Sequence, residues 1–342
     1  MTDDLLLLNG SVYTQDPARP QASALAIRSG RILYVGDDAG ARDVLPGAEV
    51  VDLRGRRVLP GLTDAHLHLG WFGWALSSVQ AETPTLQEAL ERVAARAAEL
   101  PPGAWVTGRG WNHNVWGGEF PSAGDLDRVA PAHPVYLRTK SGHAGWANTR
   151  ALEIAGITAD TPDPKGGEIV RDARGRPTGI LLEEAMGLMD RHVPEPTLEE
   201  TIADVARAAE AAARAGLTGV HDMDDVTTFR AEQHLHAQGL LPLRVVKSIP
   251  LDHLDAALEV GLQSGFGDER LRIGAVKMFA DGALGPRTAW MLEPFETAPR
   301  STGIPTTPAE VLRDGVRKAT AAGLGCAIHA IGDRACREVL DI

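Results

Sequence analysis

Two histidines two residues apart, His66 and His68, lie in the apolar run Leu59-Pro-Gly-Leu-Thr-Asp-Ala-His-Leu-His-Leu-Gly70. On a β-strand successive side chains point to opposite faces, so residues i and i+2 share one. Two imidazoles on one rigid face can converge on a single cation, and imidazole is a common ligand of zinc and its neighbours. The alternative is a pair of strand-end histidines that binds nothing, the commoner fate of a bare His-x-His. A second pair, His234 and His236, serves as an internal control. Its surroundings, Phe229-Arg-Ala-Glu-Gln-His-Leu-His-Ala-Gln-Gly239, read as helix, where residues two apart lie about 200° apart around the axis. That pair is not expected to hold a metal.

Lysine use gives a further signal. The chain has 29 arginines and only 5 lysines, and one of these, Lys277, sits inside the apolar run Ile273-Gly-Ala-Val-Lys-Met-Phe279. A buried ammonium is costly unless paired or neutralised. Lys277 could reach for water, pair with Asp281, or serve a site. Lys247, in Val-Val-Lys-Ser-Ile, is the rival lysine. His221-Asp222 reads either as support for a metal ligand or as a satisfied strand end. His113, His133, His192 and His253 lie in irregular or exposed-looking segments and carry no assigned role. Trp71, Trp74, Trp105, Trp111 and Trp116 could line a pocket, although core packing is the usual fate of tryptophan.

These side chains need a frame to hold them. Residues 4 to 57 show short strand-like runs, Leu5 to Leu8, Ala24 to Ile27, Arg31 to Val35 and Val50 to Leu53, separated by Asn-Gly, Ser-Gly and Gly-Asp-Asp turns. Such spacing predicts a small sheet or sandwich with no helix beyond a turn or two. From Pro60-Gly61 onward strands and helices alternate, which favours a parallel sheet with crossover connections. Thr85-Leu-Gln-Glu88 and Thr197-Leu-Glu-Glu200 fit capping boxes, and Thr307-Pro-Ala-Glu310 adds proline at the first helical position. Gly216 and Gly323 stand where two of these helices should end in a left-handed cap. Barrel strands are expected near Val58 to His66, Thr218 to His221, Leu243 to Ile249, Arg272 to Phe279 and Gly325 to His329. Roughly 150 residues separate the first two, against a few tens for an ordinary crossover. Residues 80–195 are therefore read as an inserted subdomain or lid over the barrel mouth.

A length of 342 residues suits a barrel with an accessory part. Acidic residues outnumber basic ones by 46 to 34, for a net charge of −12, and no run of Lys or Arg marks a nucleic-acid footprint. Cys326 and Cys336 are too few for a disulfide framework and suit a reducing compartment. The start carries acids where a signal peptide needs positive charge, and its apolar run is too short to span a bilayer. The expectation is a soluble cytoplasmic protein without nucleic-acid or membrane partners.

Pro60-Gly-Leu-Thr-Asp-Ala-His-Leu-His68 resembles the first-strand signature of the amidohydrolase superfamily, metal-dependent hydrolases on a (β/α)8 barrel. Ser141-Gly-His-Ala-Gly-Trp-Ala-Asn148, Val276-Lys-Met-Phe-Ala-Asp-Gly282 followed by Thr288-Ala289, and Ile328-His-Ala-Ile-Gly-Asp333 are similar to segments of amidohydrolase family 3, which includes N-substituted formamide deformylase-like enzymes. The likeness runs nearly end to end and keeps the family order. It implies an α/β fold: an amidohydrolase-type TIM barrel over residues 58–342 with strands one to five present, an N-terminal β-sandwich over residues 1–57, and the insertion after strand one. It also implies that His66, His68 and His329 are metal ligands and that Lys277, carboxylated, bridges between cations. One or two divalent ions, zinc first among them, would be the cofactor.

The same resemblance points His143 and Asp281 at the substrate, against an ordinary loop histidine and a plain Asp-Gly turn as alternatives. The implied reaction is hydrolysis of a non-peptide carbon–nitrogen bond, in a small-molecule amide or formamide, by metal-activated water. Ring opening of a cyclic imide or ureide is the variant within that class. A closed barrel needs eight strands, and the resemblance places another histidine on strand six and a proton-shuttling aspartate on strand eight. Five strands do not reach them. The chain is accordingly expected to be C-terminally incomplete, with impaired metal binding and negligible turnover, or a non-catalytic scaffold of the same fold. Open strand edges would favour self-association as a homo-oligomer.

Overall fold

The structure, a computed structural model, describes residues 4–284, 288–296, 299 and 301–342. It forms two compact units, Met1–Thr63 and Asp64–Ile342. In the first lie β1 (Leu5–Leu8), β2 (Ser11–Tyr13), β3 (Gln21–Ala22), β4 (Ala24–Arg28), β5 (Arg31–Gly36), α1 (Asp38–Val44), β6 (Glu49–Asp52) and β7 (Arg57–Val58). They make two small sheets, ordered β5-β4-β1-β6 and β3-β2-β7. Leu6 and Leu8 alternate inward with Ala24 and Ala26 beneath Ala41 and Leu45, the period-two pattern of a half-buried strand. The stretch at Val58 that looked like the start of the first barrel strand pairs instead with Ser11 and Val12 in this unit. Pro60, lacking an N–H, interrupts the run, and the next strand begins at Leu62.

That strand is β8 (Leu62–Leu67), followed by α2 (Leu69–Ser77). An insertion then folds as β9 (Val79–Gln80), α3 (Leu86–Glu99), β10 (Val106–Trp111), α4 (Ala123–Val129), β11 (Val135–Thr139), β12 (Ala144–Ala147), α5 (Thr149–Ile154), β13 (Gly167–Arg171), β14 (Pro177–Glu183) and α6 (Met186–Asp190). Its six-stranded mixed sheet, ordered β13-β14-β12-β11-β10-β9, has its own core, in which Trp111 and Trp146 are fully buried. Trp71 of α2, by contrast, is 54% exposed, with Arg109 of β10 over its ring.

The chain returns through α7 (Leu198–Arg214), β15 (Leu217–Asp222), α8 (Val226–Ala237), β16 (Arg244–Pro250), α9 (Leu254–Glu259), β17 (Leu271–Phe279), α10 (Ala309–Ala321), β18 (Gly325–His329) and α11 (Asp333–Leu340). The sheet order is β18-β17-β16-β15-β8, and β15 to β18 run parallel. This is a TIM-barrel-like α/β arrangement with helices on one face of a curled sheet. The Thr197 box forms as expected: Thr197 Oγ1 accepts from the Glu200 amide at 3.2 Å, and Glu200 Oε2 accepts from the Thr197 amide at 2.8 Å. At α10 the proline takes the cap. Pro308, extended at ψ 142°, stands just outside the helix, and its carbonyl rather than the Thr307 hydroxyl accepts from Val311 and Leu312.

Strand phase decides which side chains face the helices. Val220, Val245 and Leu271 pack on α7 and α8, while Ile249, Ile273, Val276 and Met278 pack with α9 and α10. Simple alternation from Leu271 and Ile273 would send Lys277 to that same helix side. It does not, because β17 carries one extra residue: Lys247 pairs with Ile273 and Ile249 with Val276, so Gly274 and Ala275 stand against Ser248 alone. Such a bulge shifts the phase of everything after it. Val276 and Met278 turn to the helices and Lys277 to the opposite face. Glycine suits the bulge, since a β-carbon at Gly274 would come within 2.5 Å of Val246 Cγ1.

The packing of α2 on α7 is close enough to be tested. A β-carbon on Gly73 would lie 2.0 Å from the Asp204 carbonyl oxygen. Gly73→Ala is therefore expected to force the two helices apart and destabilise the unit by about 1–3 kcal/mol, the cost of overpacking. Urea unfolding measures it, and an unchanged midpoint would contradict this close approach.

Candidate metal centre

In β8, Leu67 packs among the helices, so His66 and His68 share the other face. Their ring centroids are 5.5 Å apart. His68 is also the residue at which strand gives way to α2, and its Nδ1 lies 2.9 Å from Asp224 Oδ1. The second oxygen of Asp224 accepts from the amides of Gly70 at 2.7 Å and Trp71 at 3.2 Å. One carboxylate thus fixes both the ring and the backbone that follows it. With Nδ1–H donated to Asp224, Nε2 is left as the free lone pair. The same hydrogen bond is the main cause that raises the His68 pKa. His66 is pushed the other way, by partial burial first and then by the charges of Lys277, His68 and His329.

Lys277 is buried at 5% exposure, with Nζ 4.6 Å from the centroid of the Phe279 ring. Burial lowers its pKa. It does not pair with Asp281, whose oxygens accept from three backbone amides: Trp290 at 2.8 Å, Ile331 at 3.0 Å and Gly332 at 2.7 Å. His329 stands opposite Phe279 on β18. Its Nε2 is 2.8 Å from the Gly282 carbonyl, which leaves Nδ1 as the acceptor nitrogen. A cavity of about 740 Å³ opens over the C-terminal ends of β15 to β18, and its walls include Asp224, Lys277, Phe279, Asp281 and His329. Strand C-terminal ends are where barrel enzymes build their sites.

The sequence pattern of the amidohydrolase family matches residues 49–342. The chain belongs to the amidohydrolase family. Among the family's similar proteins, N-substituted formamide deformylase of Arthrobacter pascens is 35% identical across 99% of this chain and 65% of its own length. Protein LONG AFTER FAR-RED 3 of Arabidopsis thaliana is 35% identical across 99% of this chain and 60% of its own. A crystal structure of a metal-dependent hydrolase from Pyrococcus horikoshii OT3 superposes with a TM-score of 0.82 at 31% identity, over 99% of this chain and 67% of that one. This amidohydrolase chain spans about 60–65% of the length of those curated relatives.

The site residues expected from the sequence fall into three groups in the structure. His66, His68, Lys277 and His329 come to one face of the sheet at one end, close enough for their charges to act on one another. Asp281 lines the cavity but gives its carboxylate to the backbone. His143 lies in the insertion, where its Nδ1 is 2.9 Å from Glu183 Oε2, and it is not among the residues lining that cavity. The control pair behaves as expected, since His234 and His236 lie on α8, with His236 Nε2 2.9 Å from Asp268. Lys247 is excluded by phase, because it shares the helix-facing side of β16 with Val245 and Ile249.

Sequence reading missed Asp224. Its signal was the acid run Asp222-Met-Asp-Asp225 that begins at the last residue of β15, of which only Asp222 stood out. Among the described residues no three His, Cys, Asp or Glu side chains sit near enough to one another to hold a cation by themselves. In kind the donors fit a divalent metal: three imidazoles, two of them with one ring nitrogen held by a hydrogen bond, and a buried lysine that pairs with no carboxylate among the described residues.

Proposed function

We propose that this chain carries a metal centre for the hydrolysis of non-peptide carbon–nitrogen bonds, with His66, His68 through Nε2, His329 through Nδ1, and Lys277 as its donors. What supports the reading is that these four groups lie on one face of the sheet at one end, within reach of one another's charges, which for Lys277 depends on the bulge in β17. One or two divalent ions are envisaged, zinc first, with Lys277 carboxylated if two are held. When bound, such an ion lowers the pKa of water and polarises a carbonyl.

The chain's own residues shape the rest. Asp224 holds His68 in one tautomer. Asp281 ties the ends of the loops that follow β17 and β18, so that the wall bearing Lys277 and His329 is fixed. Leu251 and Phe279 give the cavity apolar surface against which an amide can shed water. A contact of His143 with a distal part of the substrate is proposed on the resemblance of its segment alone. Asp224 and Asp281 are both engaged, so neither is assigned the proton transfer to the leaving nitrogen. The 35% identity to an N-substituted formamide deformylase supports formamides and small amides as the substrate class, with cyclic imides and ureides as the second choice.

The test is elemental analysis of the purified chain after dialysis with and without zinc, alongside assays on N-substituted formamides, linear amides, a cyclic imide and a peptide. Zinc should be retained at about one to two ions per chain, and hydrolysis, where detected, should favour formamides over peptides and stop on chelation. Protein that stays metal-free in excess zinc would overturn the reading.

A further inference from the structure

Behind the sheet, away from the donors, three charged side chains are sealed in the helix layer. Asp222 and Glu232 have no exposed surface and Lys247 only 1%. Lys247 Nζ donates to Asp222 Oδ2 and, at 2.6 Å, to the backbone carbonyl of Asp224. Asp222 in turn accepts from the amide of Leu69 at 2.8 Å and from that of Asp224 at 3.2 Å. Leu69 follows His68 directly, and Asp224 is the residue bonded to its Nδ1. The Lys247–Asp222 pair therefore grips both segments that place His68: the first residue of α2 and the turn after β15.

Glu232 completes the group from α8. Neither of its oxygens meets a donor among the described residues, and its charged neighbours are Asp222, Lys247 and Asp224. An anion there would be desolvated and set beside another carboxylate, a cost no contact repays. Burial, followed by the Asp222 charge, pushes the Glu232 pKa well up. As a neutral acid it has one hydrogen bond to give, and Asp222 is the acceptor. One ammonium then balances one carboxylate, and the group is closed in charge, with one Glu232 oxygen left as an unpaired acceptor.

We propose that Asp222, Lys247 and Glu232 form a buried positioning device that seats Asp224 and, through it, fixes the tautomer and direction of the His68 ring. The inference rests on the reading of His68 as a metal ligand, but its first readout does not need a metal. A merely structural cluster would stabilise the fold without governing His68. A positioning device must move the ring when it is broken.

The experiment is nitrogen-15 NMR of the metal-free protein, with the His68 signals assigned by difference against His68→Gln, followed by zinc titration and thermal unfolding of each variant. The wild-type ring should be held as the Nδ1–H form. Lys247→Met and the nearly isosteric Asp222→Asn should each release it into a tautomer mixture and weaken zinc binding by about 10–100-fold, the range for loss of an orienting partner. Glu232→Leu should disturb the tautomer, and the conservative Glu232→Gln should restore it. If Lys247→Met does not fold, Asp222→Asn carries the comparison. A folded Asp222→Asn or Lys247→Met protein that keeps the wild-type tautomer overturns the proposal, as does a shifted tautomer in Glu232→Gln. A fixed, variant-sensitive tautomer in a chain that takes up no zinc would uphold the device and sink the metal reading alone.

Discussion

Substituting His68 with alanine is expected to cost more than about 100-fold in zinc affinity, so that the chain loses its metal on dialysis. Disturbing only the group that orients a ligating histidine typically costs 10–100-fold, and His68→Ala removes the ligand itself together with its bond to Asp224. His66→Ala should act alike, because the two rings share one strand face 5.5 Å apart. His234→Ala is the control: it removes half of an identical His-x-His motif whose rings diverge around α8. Competition against a chromogenic chelator gives the affinities. Equal losses in His68→Ala and His234→Ala would mean that retained zinc sits elsewhere.

A second large effect separates two lysines on neighbouring strands. Lys247→Met should destabilise the protein by about 3–5 kcal/mol, because removing one partner of a buried ion pair strands the other, here Asp222, without compensation. Lys277→Met should cost little in urea unfolding, or even stabilise, since a buried ammonium with no carboxylate partner gives way to an apolar chain, yet it should empty the proposed centre. Glu232 adds a pH signature. Its pKa is raised in the folded state, so the native protein holds a proton that the unfolded chain releases first. The stabilisation is complete below the ordinary glutamate pKa and is lost as pH rises toward the raised value. Glu232→Gln should remove that decline. A wild-type stability rising through this range would contradict a neutral Glu232.

Where the candidate side chains would lie was partly legible in the sequence because the signals were local. The His66 and His68 pair needs only strand alternation. The strand ending at His329 is bounded by Gly323 and an apolar run, and its observed limits match the expected ones. Family resemblance chose Lys277 over Lys247 where alternation alone would have misled, since counting from Leu271 and Ile273 puts Lys277 among the helices. An extra residue in one strand leaves no mark in composition or periodicity. Asp224 stayed hidden for a related reason: its partners His68, Gly70 and Trp71 lie more than 150 positions away, and only the folded chain closes that distance. Val58 was misassigned because an apolar run looks continuous on paper although Pro60 breaks its ladder. Thr307 showed the capping pattern, but the proline after it took the cap.

The bulge in β17 has a consequence for how such a centre could be lost. Excising Ala275 would restore an ordinary ladder and leave Lys277 on the cavity face, whereas straightening the strand with every residue kept would set Ala275 opposite Ile249 and turn Lys277 toward Leu312 and Ala319. Every donor would still be spelled out in the gene, yet the lysine would be facing the wrong way. A change of register within this one strand would undo the proposed centre in a manner that inspection of its motifs would never reveal.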